Sequence, residues 1–408
     1  MYRAIKRYSR LSLLTWLLVF SISCILAFAY ACVVRPSHAE ANAIQALKDL
    51  GIDVAFNYEH EFDGIGFDGM SGQADPPGPD WIKAVFGKMA LAKISAVKLT
   101  GRLKTLDDCR DHLEQLTHLR CLSIDSSVLE NIDALNQLQK LEKITLRCES
   151  KSLKDIRVLS NMNLSSVSLW RCSGLASLDS LRKIVTLEEL KIHHCDGIKE
   201  LNLHRWETKK LKEVSIDNCN RLVTVSGFPQ GSEPCELGLC DCLAVKEIVI
   251  GLESNLHLIN IDNCTKLDSL GILPESLATL YLSDCDSLRN IGSTESSKLT
   301  CIDIGSCSNL VSLDALLKNA EVIRLSECNG IQSLNLTQPI PKLQVIRVGS
   351  CDGIASIDGL PESVEELDLS ECQSLVRVTA ETSLPNLRVC DLLECPSLLE
   401  SPEVVLPP

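Results

Sequence analysis

Residues 187–201 read LEELKIHHCDGIKEL, and residues 277–291 read LATLYLSDCDSLRNI. Each places apolar residues at offsets −8, −5, −3, +3 and +6 from a cysteine. The same frame recurs around eleven cysteines, Cys172, Cys195, Cys219, Cys242, Cys264, Cys285, Cys307, Cys328, Cys351, Cys372 and Cys395, spaced 21 to 24 residues apart. Upstream the frame continues with Glu149, Ser127 and Arg102 at the ladder position, for about fourteen turns in all. Apolar −5 and −3 positions alternate with polar −4 and −2 positions, the signature of a short strand with one buried face. Burying six aliphatic side chains per turn contributes roughly 1.5–3 kcal/mol each. Ordering the whole turn costs about 1–2 kcal/mol per residue. A lone turn therefore does not fold, and successive turns must stack.

The pattern L-x-x-L-x-L-x-x-C-x-x-L-x-x-L resembles the leucine-rich repeat, in the variant with cysteine where asparagine is commoner. The resemblance runs from Ile94 to Leu399, and Leu273-Pro274-Glu275-Ser276-Leu277 and Leu360-Pro361-Glu362-Ser363-Val364 look like the linkers of short bacterial and plant resistance-type repeats. It implies an α/β repeat fold: a curved solenoid with a parallel concave β-sheet, whose residues 94–400 recognise a protein or peptide. The unit before it, residues 35–93, looks like the lead-in of membrane-anchored bacterial proteins of this kind. Ala39 to Leu50 reads there as a helix stopped by Gly51, and a strand-like segment, IDVAFNYE, follows. A Gly/Asp/Pro-rich loop comes next, then a second helix from Pro79 to Phe86. Its physical role would be to cap the open edge of the first turn. Residues 401–408 form a tail.

Residues 1–10 are basic, and Leu11 to Val34 is a 24-residue run without a charge. Such a run is long enough to span a bilayer. Arg3, Lys6, Arg7 and Arg10 before it put the amino terminus in the cytoplasm and the body outside. The expectation is a single-pass protein of the cell membrane. Ser37-His38-Ala39 offers a rival reading as a signal-peptide cleavage site.

The chain has 408 residues, 45% apolar and only 4% aromatic, with four rings after Gly101: Trp170, Trp206, Phe228 and Tyr281. After residue 35 there are 35 basic against 54 acidic groups, a balance of −19 that opposes nucleic-acid binding. No catalytic motif stands up. Gly64-Ile65-Gly66-Phe67-Asp68-Gly69 matches a dinucleotide-binding string, but a turn-rich stretch rather than a helix follows it. There is no phosphate loop, no H-E-x-x-H and no G-x-S-x-G. The reading is non-catalytic, with no cofactor.

The ladder cysteines are expected as buried, mildly polar thiols at the turn after each strand, where asparagine would otherwise bond neighbouring backbone. Parallel neighbours about 4.8 Å apart with parallel Cβ directions disfavour disulfides, and spacings of 21 or more supply no compact metal set. The one local cluster is Cys235, Cys240 and Cys242, with Cys240 at an exposed −2 position. Off the ladder, Cys121, Cys148 and Cys301 are expected on the concave face. So many unpaired thiols fit a reducing cytosol better than export.

Polar positions on that face carry no packing duty, so they are where binding is expected. Early turns present a basic patch with one ring: Lys143, Arg147, Trp170, Arg171, Lys191, His193 and His194, the two histidines being read as solvated or partner-contacting. Middle turns are acidic, with Asp217, Asp241 and Asp262, and later turns add Arg324 and Arg347. Interface energy concentrates in Trp, Tyr and Arg, so Trp170, Arg171, Tyr281, Arg324 and Arg347 lead the candidates. Two other readings stay open: a self-associating envelope or cell-surface scaffold, and a cytosolic adaptor.

Overall fold

The computed structural model describes residues 18–25, 27–28, 30–58, 93–149, 151–228, 230–231, 233–292, 298–380 and 382–399. The chain forms two compact units. One comprises Met1–Ser126 with Asp133–Leu141, the other Ser127–Ile132 with Glu142–Pro408.

In the first unit a helix, Arg35–Asp49, starts with Pro36 in its first turn, where a missing N–H does no harm. It begins four residues earlier than the sequence suggested. Gly51 stops it as expected, in the left-handed region at φ 77°, with its N–H on the Lys48 carbonyl at 2.9 Å. The strand Asp53–Tyr58 then runs antiparallel along Ile94–Thr100, which pairs in parallel with Cys121–Asp125. The antiparallel strand covers what would otherwise be a bare sheet edge. Glu40, on the helix, is 1% exposed. It accepts hydrogen bonds from the Ile94 N–H at 2.8 Å and the Thr117 hydroxyl at 3.0 Å, and it lies 2.7 Å from His118 Nδ1.

Residues 18–25 are helical, and Leu18, Val19, Phe20, Ile22 and Ile25 are exposed. Among the described residues no helix is long and apolar enough to cross a membrane, so the spanning helix expected over 11–34 is not seen there. Residues 1–17, 26 and 29 of the amino-terminal segment lie outside the described residues. So do the Gly64–Gly69 string, the expected second helix of the lead-in, and the 401–408 tail.

The second unit is a parallel β-solenoid. Its main sheet runs from Lys143–Arg147 through Ser166–Trp170 and Glu189–His193 to Val389–Asp391, twelve strands that supply one turn each. Two further repeat strands, Ile94–Thr100 and Cys121–Asp125, belong to the first unit. The return segments differ from turn to turn. Some are 3-10 helices, such as Asp179–Lys183 and Asp314–Asn319. Others form two small parallel sheets, Glu200–Asn202 with Thr224–Ser226 and Glu247–Val249, and Ser333–Asn335 with Ser356–Leu360 and Arg377–Ala380.

The six-position frame is the core. Leu187, Leu190, Ile192, Cys195, Ile198 and Leu201 are each at most 3% exposed, and all eleven ladder cysteines are at most 1%. Immediately before every ladder cysteine stands a non-glycine residue with positive φ, from Arg171 (φ 55°) and His194 (φ 53°) to Glu371 (φ 58°) and Glu394 (φ 59°). This kink is what turns the thiol inward. In His193-His194-Cys195 strict alternation would point residue 194 at the core; the left-handed residue consumes one position and passes the inward direction to residue 195. The kinked N–H still reaches the next turn: His194 N–H bonds the Asp217 carbonyl and Asn218 N–H the Cys240 carbonyl, at 2.8 and 2.9 Å. Asn and Asp tolerate this conformation better than most residues, and they fill four of the eleven kinks, Asn218, Asp241, Asn263 and Asp284.

The earliest turns lack the kink, and this corrects the expected ladder positions. After Lys143–Arg147 plain alternation continues, so Cys148 is fully buried and Glu149 is exposed. Likewise Ser126, not Ser127, points inward and donates its hydroxyl to the Leu103 carbonyl at 2.7 Å. Cys148 is thus a rung of the ladder rather than a residue of the open face, and Cys121 is buried as well; Cys301 is half-buried.

The thiols behave as weak asparagines. The Cys195 thiol contacts the Leu169 carbonyl of the preceding turn at 3.6 Å and the His193 carbonyl at 3.3 Å, while its own N–H donates to Cys219 Sγ at 3.4 Å. Cys328 repeats all three contacts with Ile304, Ser326 and Cys351. The eleven ladder cysteines form no disulfides. Burial pushes the Cys242 thiol up to about 11 and Cys264 up to about 12, so both stay protonated at neutral pH and are poor nucleophiles.

Candidate functional site

Parallel pairing, in register apart from one shift between Cys235 and Glu236 against the following strand, puts equivalent residues of successive turns in columns across the open face of the main sheet. The −2 column begins Arg147, Trp170, His193, Asp217. Arg147 lies over the Trp170 ring, with its guanidinium carbon 5.0 Å from the centroid. The Trp170 and His193 rings stack at 3.9 Å with a 17° interplanar angle. His193 Nδ1 then meets an Asp217 carboxylate oxygen at 3.1 Å. The Trp170 indole N–H is satisfied within its own strand by Ser168 Oγ at 2.9 Å.

His193 is therefore a packed member of this row, its side chain only 12% exposed, and not the solvated histidine expected; His194, at the kink, is the exposed one. Burial pulls the His193 imidazole below its ordinary value, against the opposing pull of Asp217. That shift favours the neutral form of the ring stacked on Trp170.

The other expected contact residues are more committed than sequence suggested. Lys191 pairs with Glu213 on the next strand at 3.0 Å, and Arg171 with Glu149 at 2.7 Å. Lys143 is half-buried at the start of its strand. In the later turns Arg324 meets Asp303 at 3.5 Å and Arg347 meets Glu366 at 2.6 Å. The Arg347 guanidinium holds the Glu366 carboxyl below its ordinary value. Tyr281, half-buried between Asn260 and Asp303, is five strands from Trp170, about 24 Å at ~4.8 Å per strand. The candidates are thus two groups: a contiguous stack around Trp170, and separate ion-paired arginines beyond Tyr281. Trp206 and Phe228 are buried and contribute no ring to the open face.

Beyond His193 the −2 column turns acidic: Asp217, Cys240, Asp262. Cys240 is half-buried, and its thiol contacts the Asp262 carboxylate at 3.4 Å and Asp241 at 3.7 Å. Burial, together with those carboxylates, pushes its thiol up to about 12. Of the three clustered cysteines Cys235 and Cys242 face the core, so only Cys240 reaches this surface. The convergence of Asp217, Cys240 and Asp241 was not anticipated. Its signal was available, since spacings of 23 and 22 residues set positions 217, 240 and 262 side by side once one register is assumed.

No family model matches the chain. Over 106 residues it is 31% identical to a probable disease resistance protein of Arabidopsis thaliana, a match covering 25% of this chain and 26% of that one. The chain thus spans about a quarter of the length of that relative. Among solved structures it is similar to the leucine-rich repeat domain of the type III effector XopL, with 20% identity, 62% of this chain and 76% of that one covered, and a TM-score of 0.35. It is also similar to the functional domain of InlJ from Listeria monocytogenes, described as including a cysteine ladder: 13% identity, 73% of each chain, TM-score 0.28.

Proposed function

We propose that this chain is a non-catalytic recognition protein that captures a protein or peptide on the open face of its main sheet, centred on the Arg147–Trp170–His193 stack. The stack is the observation that carries this reading. Three large side chains from three strands are already fixed against one another, so an arriving partner loses little rotamer freedom in ordering them. Trp and Arg are also the residues in which contact energy concentrates. The strongly acidic surface argues for a protein partner over nucleic acid.

Panning a displayed peptide library against the purified full chain is expected to select ligands that need the stack. Trp170→Ala should weaken a selected peptide about 30-fold, the size of a hot-spot loss, with the melting temperature lowered by only a few degrees because the half-buried ring packs on Arg147 and His193 and not in the core. Selected peptides that bind Trp170→Ala as tightly as the parent would remove the stack from this role. An oligomer by light scattering with no peptide selected would instead favour the self-associating scaffold.

Membrane anchoring through residues 11–34, with the body outside the cytoplasm, belongs to the same proposal and rests on the uncharged 24-residue run behind four basic residues. Alkaline carbonate washing of membranes from cells expressing the chain should leave it in the pellet. Its release into the supernatant would defeat the anchor.

A further inference from the structure

Asp217, Cys240 and Asp241 each offer one ligand atom, and the three atoms lie within 4.8 Å of one another. Two neighbours extend the group. The Asp262 carboxylate lies 3.4 Å from Cys240 Sγ on the following strand, and His193 Nδ1 lies 3.1 Å from Asp217 on the preceding one. The set is therefore not merely acidic: it combines a sulfur, carboxylate oxygens and a nearby imidazole nitrogen, drawn from four consecutive strands.

Its charge balance differs from that of several acids on the same face. Glu213, Asp303 and Glu366 are each ion-paired with a Lys or Arg. Among the described residues none of Asp217, Asp241 and Asp262 pairs with a Lys or Arg; their partners are His193, Asn218, Asn263, Ser283 and the Cys240 thiol itself. Three carboxylates converge on one thiol with no fixed cation to balance them, an arrangement that a mobile cation relieves. The sulfur decides which cation. Calcium and magnesium take oxygen ligands, whereas a borderline ion of the zinc class accepts thiolate and carboxylate together.

We propose that Asp217, Cys240 and Asp241 bind a single zinc-class divalent cation on the open face of the sheet. His193 acts from outside the ligand set, its contact with Asp217 orienting that carboxylate. On binding, the Cys240 S–H proton leaves to solvent and the thiolate takes its place as a ligand.

The test uses the reduced full chain, stripped with a chelator and titrated with Co²⁺ as a spectroscopic stand-in for Zn²⁺. One equivalent should produce a thiolate-to-cobalt charge-transfer band that Zn²⁺ displaces. Cys240→Ser should abolish the band, and Asp241→Asn should weaken binding at least about tenfold. Cys390→Ser, which removes an exposed thiol elsewhere, should leave the band unchanged. The substituted side chains are not in the core, and melting curves check that each variant folds. Absence of the band, or its survival in Cys240→Ser, overturns the assignment. So does Ca²⁺ binding equally tightly to the parent and to Cys240→Ser, because that describes an oxygen-only site.

Discussion

Moving the purified chain from pH 8 to pH 10 is expected to lower its stability by several kcal/mol. Cys235, Cys242 and Cys264 are fully buried, and desolvation raises their thiols from 9.0 to about 12, 11 and 12. For Cys264 the neighbouring Cys242 adds to the effect. A folded value above the unfolded one means that each thiol's contribution is complete below pH 9. It is lost as the pH climbs toward 11–12, because the unfolded chain releases protons first. Within that window each thiol removes about 1.4 kcal/mol per pH unit. Three together remove about 4 kcal/mol by pH 10, a fall of roughly 7 °C in melting temperature for a unit of this size. Thermal melts across pH 8–10 measure this, with Cys264→Ala as the reference that should remove one thiol's share of the loss, about 1.4 kcal/mol by pH 10. A melting temperature that holds steady to pH 10 would contradict the buried, neutral row.

The second large effect is expected at Glu40, in the other unit. Its carboxylate is buried, with one main-chain N–H, one hydroxyl and one imidazole around it. Glu40→Ala removes the acceptor and leaves the Ile94 N–H unpaired at the start of its strand. Breaking a buried charged cluster from one side typically costs about 3–5 kcal/mol. Glu40→Gln keeps an acceptor and most of the volume and should lose about 1–2 kcal/mol. Hydrogen exchange at Ile94–Thr100 and the melting temperature report both. Equal, small losses for the two variants would show that the carboxylate does not hold the helix to the strand.

The periodic part of this fold was readable from residues alone, because each turn repeats the same burial problem. Eleven cysteines in phase with five apolar positions leave little freedom in which side chains face the core. Where periodicity changes grain, sequence reasoning slipped. Spacing alone does not distinguish a turn with a left-handed kink from one without, so Glu149 and Ser127 were assigned places that Cys148 and Ser126 occupy. Likewise, Trp170, Arg147 and His193 were legible as residues of one face, but their stacking depends on strand register and rotamers. The contacts of Glu40 with Ile94 and Thr117 join residues 54 and 77 positions apart, and no local pattern announces such a contact.

The left-handed residue before each ladder thiol also bears on how such a chain can change over generations. Deleting that one residue from a kinked turn restores plain alternation, the arrangement of the Cys148 turn, in which the thiol still faces inward and its own N–H bonds the Trp170 carbonyl of the next turn. Copying or losing a complete coil instead recreates the same junction on both sides of the splice. Change in length is thereby expected in entire coils, or by the single left-handed residue that separates the two kinds of turn.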